Sequence, residues 1–307
     1  MENKKENFSY ILITPAYNEE KFIEKTIQSV ISQTLLPKKW VIVSDGSTDR
    51  TDEIIKKYLP GNPWIELLRM PEHKDRNFGA KVFCFNAGFE KIRDLDYDVI
   101  GNLDADISFE SDLFEFLINK FIEFQELGVA GTYFVEENYS SLTDSFEGKR
   151  HVSGQCQLFR KKCFEDIEGY VPHRAGGIDW IAVTTARMKG WKTQSFQEKH
   201  YFHHRHLGTG GSNRVGSLFK YGMKDYYLGG HPLWEVFRVV YRFANRPYII
   251  GGLALMSGYL WASFKRINRP VSIELMKFHR REQMEKLKII FKNIIKFGKI
   301  EKYNIDF

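Results

Sequence analysis

Four short apolar runs alternate with helix-like segments over residues 10–104, and this alternation constrains the fold more than any other feature of the sequence. The runs begin at these residues: Tyr10, Trp40, Trp64 and Val99. Between the runs, apolar residues recur every three or four positions, which is the spacing of an amphipathic helix. A β-α-β-α-β-α-β order is typical of an α/β fold, in which helices cover both faces of a mostly parallel sheet.

Polar residues gather where the apolar runs end. They stand at or near the end of an expected strand or the start of the next helix: Tyr17, Asp45, Lys81, Asp104 and Asp106. Because open α/β sheets bind ligands outside the carboxyl ends of their strands, we expect these residues to converge on one edge of the sheet. The sequence therefore predicts a single binding site at that edge.

Asp104 and Asp106 are one residue apart at the end of the fourth run, VIGNLDAD. Alternate residues of a strand share a face, so both carboxylates can point the same way. Two carboxylates this close repel each other unless a cation lies between them, and Mg²⁺ or Mn²⁺ prefers such oxygen ligands. A solvated acidic turn is the alternative that these two residues alone leave open.

Four motifs follow one another along the chain: TPAYNEE from Thr14, SDGSTDRT from Ser44, G-x-K…F-N-A-G between Gly79 and Gly88, and NLDAD from Asn102. In this order they resemble the motifs of the inverting family-2 glycosyltransferases, which have the GT-A fold of nucleotide-diphospho-sugar transferases. The resemblance implies a GT-A catalytic domain with a Rossmann-like mixed sheet at residues 1–212. A basic, aromatic-rich helical C-terminal region is expected at residues 213–307.

The resemblance also implies a metal-dependent, inverting transfer of a sugar from a nucleotide-diphosphate sugar, usually a UDP-sugar, to a lipid-linked or polysaccharide acceptor. It assigns six residues to nucleotide-sugar binding: Pro15, Tyr17, Glu19, Asp45, Lys81 and Asp104. Simpler roles stay open for three of them. Tyr17 can pack on the first helix, Asp45 can form a turn, and Lys81 can be a solvated helix residue.

The same resemblance places a divalent metal ion, Mn²⁺ or Mg²⁺, on Asp104 and Asp106, with His203 completing the ligand set. His203 belongs to the segment HYFHHRH, in which four of seven residues are histidines. His204 and His206 stay open as alternatives to His203. One imidazole with two carboxylates and diphosphate oxygens suits Mn²⁺ or Mg²⁺ better than zinc.

Asp179 is the general base that the resemblance implies. Family members typically have Glu-Asp at the start of this helix, whereas this sequence has Ile178 before Asp179. An inverting transfer needs only one base to take the proton of the acceptor hydroxyl, so the chemistry does not depend on the missing glutamate. The other interpretation of Asp179 is a helix N-cap before Trp180.

The C-terminal part of the chain is strongly basic. From Trp234 onward there are 15 Lys+Arg and 6 Asp+Glu, whereas residues 1–233 contain 30 and 33. Such asymmetry indicates an anionic partner, either a membrane or a nucleic acid. Because no nucleic-acid-reading motif accompanies the basic tail, we expect no nucleic-acid binding. Instead we expect residues 234–297 to attach peripherally or shallowly to the cytoplasmic side of the cell membrane.

Pro247–Phe264 is the segment on which the mode of membrane attachment depends. It has 18 residues without a charge, while a membrane span needs about 20 apolar residues. A span, a shallow hairpin, an in-plane interfacial helix and a buried core helix all fit this segment. The glycine-rich segment Leu207–Ser212 precedes it, and there a lid over bound donor and an inter-domain linker both fit.

Three scattered cysteines, Cys84, Cys156 and Cys163, favour core packing and a reducing compartment. The polar first ten residues lead us to expect no secretory signal.

Two other functions stay open. A catalytically silent nucleotide-sugar-binding or scaffold protein of the same fold would suit the missing glutamate beside Asp179. A nucleotidyltransferase would share the sheet, but it is expected to have a glycine-rich basic loop where this chain has PAYNEE.

Overall fold

The computed structural model of the protein divides into two compact units, one ending at Arg205 and one beginning at His206. The described residues are 8–72, 78–137, 139–144, 148–173, 176–205, 214–244 and 246–297. The domain boundary expected at 212/213 lies outside these ranges. The segment Leu207–Ser212 and the alternative metal ligand His206 also lie outside the described residues.

Strands and helices alternate through the described part of the first unit. The strands are β1 (Tyr10–Ala16), β2 (Lys39–Ser44), β3 (Ile65–Arg69), β4 (Val99–Leu103), β5 (Ile107–Phe109), β6 (Leu127–Glu136), β7 (Tyr139–Ser140), β8 (Cys156–Arg160) and β9 (Lys192–His203). The helices are α1 (Ile23–Ile31), α2 (Thr51–Tyr58), α3 (Phe78–Ile92), α4 (Leu113–Glu123), α5 (Ser141–Asp144), α6 (Lys161–Asp166) and α7 (Ile178–Met188). The predicted α/β class is confirmed.

The strands form one mixed sheet in the order β3-β2-β1-β4-β8-β6-β9-β5, with β7 paired to β6. The four strands β3, β2, β1 and β4 are parallel, whereas β8 is antiparallel to both β4 and β6. Ala16 pairs with Ser44 at the ends of β1 and β2. The loops that leave these two strands therefore start side by side at the same edge of the sheet.

Two apolar clusters hold helices against the sheet. Leu12 of β1 belongs to a cluster with Phe114 and Leu117 of α4. The next residue, Ile13, belongs to a second cluster that includes Phe85 of α3 and Val183 of α7. Because successive residues of a strand point to opposite faces, the helices cover both sides of the sheet. This packing fixes the starts of α3 and α7, which carry two of the candidate site residues.

The second unit is helical in its described residues, which confirms the predicted helical C-terminal region. The helices are α8 (Arg214–Tyr227), α9 (Pro232–Phe243), α10 (Tyr248–Phe264) and α11 (Ile273–Phe297). Helices α8 and α10 approach each other through glycines. A Cβ atom on Gly222 would lie 1.9 Å from the carbonyl oxygen of Leu255, and one on Gly258 would lie 2.0 Å from that of Phe219. None of the described helices combines the length and apolarity that crossing a bilayer requires.

Candidate functional site

The loops that follow β1 and β2 are joined to each other at the carboxyl edge of the sheet. The connections are Asn18 N–H to Ser47 Oγ (3.1 Å), Glu19 N–H to Thr51 Oγ1 (2.7 Å), Glu20 N–H to Asp49 Oδ2 (3.1 Å) and Thr48 N–H to Asn18 Oδ1 (2.8 Å). Asn18 has a left-handed backbone, with φ of 53°, which asparagine tolerates better than most residues. Short polar side chains therefore fix the path of both loops.

Three of the residues assigned to nucleotide binding lie at this edge. Pro15 and Tyr17 are half-buried at the end of β1. Asp45 directly follows β2, and its N–H donates to the carbonyl oxygen of Ala16 at 2.8 Å. The Cys84 thiol of α3 donates to the Asp45 carboxylate. The pKa of that thiol is raised mainly by burial and, to a smaller extent, by this hydrogen bond. Asp45 is thus positioned by α3 as well as by its own strand.

A second set of contacts joins α3 to the end of β4. Lys81 Nζ donates to Asp104 Oδ1 and lies 3.4 Å from the carbonyl oxygen of Gly154. Asn102 Nδ2 donates to the same carbonyl at 2.5 Å. The Lys81 side chain, for which a solvated helix residue was the alternative, is 33% exposed. Its ammonium is held between a carboxylate and a peptide carbonyl.

Asp179 contacts the N–H of the same glycine. The N–H of Gly154 donates to Asp179 Oδ2 at 3.3 Å, so the backbone of this one residue contacts both Lys81 and Asp179. A Cβ atom on Gly154 would lie 2.7 Å from the Asp179 Cβ, which real side chains do not tolerate. Only glycine therefore fits beneath Asp179.

Asp179 is not the N-cap of its helix. Gly177 holds that position with φ of 84°, preceded by Gly176 with φ of 88°. Two successive left-handed residues favour glycine and turn the chain into α7. Ile178, which stands where family members have glutamate, is 8% exposed and packs in the second apolar cluster. Position 178 is thus a core position in this chain, and Asp179 is the acidic residue of the first turn.

A short strand places His203 beside Asp106. β5 pairs antiparallel with the end of β9, so that Ile107 is opposite His203, and His204 N–H donates to the Asp106 carbonyl oxygen at 2.9 Å. His203 Nε2 lies 3.6 Å from Asp106 Oδ2, while its Nδ1 lies 2.8 Å from Glu136 Oε1. Both Asp106 and His203 are 8% exposed. The structure therefore brings together the second aspartate of the motif and the favoured histidine.

Arg205 connects this histidine segment to the first loop. Its Nη2 donates to Glu19 Oε2, and its Nε lies 3.2 Å from Asp106 Oδ2. The guanidinium carbon is 5.9 Å from the centre of the Phe22 ring. Glu19, assigned above to nucleotide binding, is thus part of the same charge cluster as Asp106.

The electrostatic balance differs between the two aspartates. Burial raises the pKa of Asp104 and repulsion from Asp106 adds to it, against the opposing charge of Lys81. Burial alone would also raise the pKa of Asp106, but His203, Arg205 and Lys81 outweigh it and the pKa is lowered. Asp106 is therefore the carboxylate that remains ionised most readily.

Glu19 and His203 are shifted by the same cluster. Burial, followed by repulsion from Asp106, raises the pKa of Glu19 to about 7 despite Arg205. Burial alone would lower the pKa of His203, but Asp106 and Glu136 together raise it. Clustered ionisable groups with shifted pKa values at the edge of an α/β sheet are typical of a functional site.

The donor set around Asp106 agrees in type with a Mn²⁺ or Mg²⁺ site. Two carboxylates and one imidazole are present, and Glu136 holds the other nitrogen of His203 as carboxylates commonly hold metal-bound histidines. Within the described ranges, no group of three His, Cys, Asp or Glu side chains is arranged as a metal site. Instead, two cations of the chain, Lys81 and Arg205, lie against the two carboxylates.

His204 is less suited than His203 to the role of third ligand. Its Nε2 lies 2.8 Å from Ser108 Oγ, and its ring stacks on Phe22 with the ring centres 6.0 Å apart. Burial is the main cause that lowers the pKa of His204. These contacts already account for its side chain.

Three residues of the site are identified by their contacts in the structure: Gly154, Glu136 and Arg205. Gly154 and Glu136 contact residues 25 and 67 positions away, and their local sequence does not indicate these partners. Arg205 had a weak signal, because it stands between His204 and His206 in the histidine-rich segment.

The three cysteines are free and buried. Burial is the main cause that raises the pKa of Cys156 and of Cys163 to about 12. The cysteines thus have the properties of core residues.

Part of the chain matches a known family model. Residues 11–144 match the family model described as glycosyl transferase family 2. This segment contains β1 to β6 and with them Glu19, Asp45, Lys81 and both aspartates of the motif. Asp179, His203 and Arg205 lie beyond the matched segment.

Curated relatives are similar over the same part of the chain. Chondroitin synthase of Pasteurella multocida is 29% identical over 118 residues, which are 38% of this chain and 11% of the relative. Poly-beta-1,6-N-acetyl-D-glucosamine synthase of Staphylococcus aureus is 31% identical over 112 residues, which are 36% of this chain and 25% of the relative. The matched part is thus a quarter or less of these relatives.

Solved structures show the same fold. TarS 1-349 of S. aureus in complex with UDP-GlcNAc has a TM-score of 0.54 at 15% identity, covering 94% of this chain and 88% of that one. The mannosyltransferase PcManGT of Pyrobaculum calidifontis, in complex with GDP-Man and Mn²⁺, has a TM-score of 0.52 at 15% identity, with 92% and 81% covered. The mixed sheet is therefore of the GT-A type.

Proposed function

We propose that this chain is a family-2 glycosyltransferase that transfers a sugar from a UDP-sugar to a glycan acceptor with inversion, supported by the family match of residues 11–144 and by the fold. The observation that carries this proposal is the position of Gly154, whose carbonyl oxygen contacts Lys81 of the donor-side pair Lys81–Asp104 and whose N–H contacts Asp179. A carboxylate outside the aspartate pair is what an inverting transfer needs as its base.

On the donor side, we assign Pro15, Tyr17, Glu19 and Asp45 to the nucleotide. The support for this assignment is their position at the ends of the adjacent parallel strands β1 and β2, where α/β sheets bind nucleotides. The named structural neighbours bind UDP-GlcNAc and GDP-Man, so a nucleotide sugar is the expected donor class. UDP is our choice of nucleotide.

We assign a Mn²⁺ or Mg²⁺ ion to Asp106 and His203, with Asp104 shared between the ion and the nucleotide sugar. A bound ion would neutralise negative charge on the leaving nucleoside diphosphate. The support for this assignment is the donor set described above and the Mn²⁺ that accompanies GDP-Man in PcManGT. Lys81 and Arg205 add fixed positive charge against the same two carboxylates, and this charge suits a diphosphate.

At the acceptor, Asp179 takes the proton of the attacking hydroxyl. The acceptor oxygen forms its bond to the anomeric carbon while the bond from that carbon to the phosphate oxygen breaks, and the electron pair leaves with the diphosphate. The N–H of Gly154 donates to Asp179 Oδ2 and so helps to hold this carboxylate in place. The relatives are polysaccharide synthases, so we propose a polysaccharide or lipid-linked glycan acceptor.

The experiment that tests this function is donor turnover by the whole chain and by Asp179→Asn. UDP-, GDP- and dTDP-sugars are incubated with and without Mn²⁺, and release of the nucleotide is measured with and without a glycan acceptor. We expect UDP-sugar turnover to need Mn²⁺. The variant should keep donor binding and lose transfer by about 10²–10⁴-fold, the usual contribution of general base catalysis.

Each result separates the proposal from an alternative. Donor binding without any turnover in the unmodified chain would identify the scaffold protein of the same fold. Normal transfer by Asp179→Asn would exclude Asp179 as the base. Turnover that is equal with and without Mn²⁺ would exclude the assignment of a metal ion to Asp106 and His203.

A further inference from the structure

Helix α10 leaves one whole apolar face in solvent. The helix has 17 residues and no charged side chain among them. Six of its large apolar side chains are between 44% and 84% exposed: Ile249, Ile250, Leu253, Leu260, Trp261 and Phe264. A helix that is apolar on all sides is ordinarily buried on all sides, so this exposure needs an explanation.

The exposed residues form a continuous stripe rather than scattered positions. At 3.6 residues per turn, all six fall within an arc of about 120°. The opposite side is buried by the unit itself, since Leu255 and Gly258 lie against α8, and Phe243 of α9 would be 2.5 Å from a Cβ on Gly252. The helix is therefore anchored by one face, and the other face is presented outward.

Positive charge stands at both ends of this stripe. Arg246 precedes α10, and Lys265 and Arg266 follow it, all three exposed. Between Glu235 and Glu274 the sequence contains no acidic residue and six Lys or Arg. The segment that contains α10 thus combines an apolar face with cations and has no acidic residue of its own between Glu235 and Glu274, which fits a partner that is apolar and anionic at once.

A second copy of the chain fits this surface poorly. In a two-fold symmetric contact through α10, the same patch meets itself. A parallel pairing would place like cationic ends together, and an antiparallel pairing would place Arg246 against Lys265 and Arg266. Either arrangement brings cations to cations with no acidic residue of the segment between them.

We propose that α10 docks in the plane of a membrane whose surface carries anionic lipid headgroups. Its stripe enters the boundary between headgroups and acyl chains, and Arg246, Lys265 and Arg266 contact the lipid phosphates. Interfacial helices of this kind bury their apolar face by about 5–10 Å. At 1.5 Å per residue the helix is about 26 Å long, shorter than the roughly 30 Å apolar core of a bilayer, which favours the in-plane orientation.

The test is binding of the full-length chain to vesicles. Phosphatidylcholine vesicles are compared with vesicles of phosphatidylcholine and phosphatidylglycerol, and bound protein is measured by flotation. We expect binding to the anionic vesicles that decreases as salt is added. The double variant Leu253→Glu/Leu260→Glu should lose this binding, because it places two carboxylates in the apolar stripe without disturbing a buried contact.

Two further variants sharpen the test. Leu36→Glu makes the same change at a 45% exposed leucine of the first unit, and we expect it to bind vesicles normally. Lys265→Gln/Arg266→Gln should weaken binding by about fivefold for each charge removed, the usual value for a cation at an anionic surface.

Two results would overturn the proposal. One is vesicle binding that survives Leu253→Glu/Leu260→Glu. The other is an absence of vesicle binding together with a dimer that this double variant dissociates, which would make a second copy the occupant of the stripe. The glycosyltransferase proposal is independent of this outcome, because donor turnover with a soluble acceptor reports the site alone and should be unchanged in the α10 variants.

Discussion

Two regions depart in opposite directions from the usual burial of apolar and exposure of charged side chains. One is the part of the proposed active site formed by Glu19, Lys81, Asp104, Asp106, His203 and Arg205 of the first unit, called here the catalytic edge. The other is helix α10 of the second unit. At the edge, the charged side chains of Glu19 and Asp106 are buried, and Arg205 of the same unit contacts both. On α10, apolar side chains are exposed, and no described residue of their own unit covers them. Buried charge and exposed apolar surface are the two informative exceptions to the usual distribution.

The difference between these regions is whether the exception is compensated within the chain. Removing a buried charge from water costs several kcal/mol per ion, and a well-placed opposite charge is needed to offset it. The catalytic edge meets this requirement internally, so its chemistry can be inferred from its own contacts. The α10 stripe is not covered by the described residues of its unit, and the proposed docking on an anionic membrane would supply that cover.

The prediction with the largest expected effect concerns Glu235 of α9. This residue is a buried acid of the second unit that lacks ion pairs as close as those of the catalytic edge. It is 2% exposed, neither carboxylate oxygen has a hydrogen-bond partner, and Arg238 Nη1 is 3.8 Å away. Burial first, with repulsion from Asp225, raises the pKa of Glu235 from 4.5 to about 8. Glu235 ionises at lower pH in the unfolded chain than in the folded protein. The folded protein is therefore most stable below the pKa that Glu235 has in the unfolded chain, and its stability falls as the pH rises toward 8.

We expect Glu235→Gln to remove this loss. The variant should be more stable than the unmodified chain by roughly 2–4 kcal/mol at pH 7 and equally stable near pH 4. Urea unfolding at the two pH values measures the difference. Glu285→Gln, at an exposed position of α11, is the matched control and should show no such trend. A constant difference at both pH values would mean that Glu235 is paired in the folded protein after all.

Gly154→Ala tests the compensated side of the comparison. A Cβ atom there would lie 2.7 Å from the Asp179 Cβ and 3.2 Å from its Cγ, so the carboxylate must move. A displacement of about 1 Å in a catalytic group costs about 100-fold in rate. We expect kcat to fall by about that factor, with donor KM unchanged, because the nucleotide loops are not touched.

Gly61→Ala is the control for this substitution, since a Cβ on Gly61 meets no atom within 4 Å. Thermal unfolding of both variants separates a local displacement from a general loss of stability. An unchanged kcat in Gly154→Ala would show that the Gly154 contact does not set the position of Asp179.

The sequence predicts the parts of this architecture that are encoded locally. The four parallel strands follow from apolar runs, and the positions of Asp45 and Asp104 follow from where those runs end. The three-residue strand β5 is too short for a periodicity signal, yet it brings His203 to Asp106. Gly154 and Arg205 act through partners that only the folded sheet brings near, so the local sequence does not identify those partners.

Arg205→Ala has the smallest expected effect and tests whether Arg205 and the proposed metal ion compete for Asp106. Arg205 is partly exposed, and its Nε lies 3.2 Å from Asp106 Oδ2, so it would compete with that ion for the carboxylate. Ion pairs of this exposure are worth up to about 1 kcal/mol. Removing the guanidinium should therefore tighten Mn²⁺ binding without nucleotide by up to about fivefold.

Mn²⁺ binding is measured by the decrease of its solution EPR signal, with UDP-sugar affinity measured in parallel. Lys199→Ala is the control, because Lys199 lies on β9 and pairs with Glu110 and Asp112 instead. We expect Arg205→Ala to bind Mn²⁺ more tightly but the UDP-sugar more weakly, since a cation near the diphosphate is lost. Weaker binding of both would mean that Arg205 holds Asp106 in place, and the catalytic edge would then depend on its internal pairing even when metal is present.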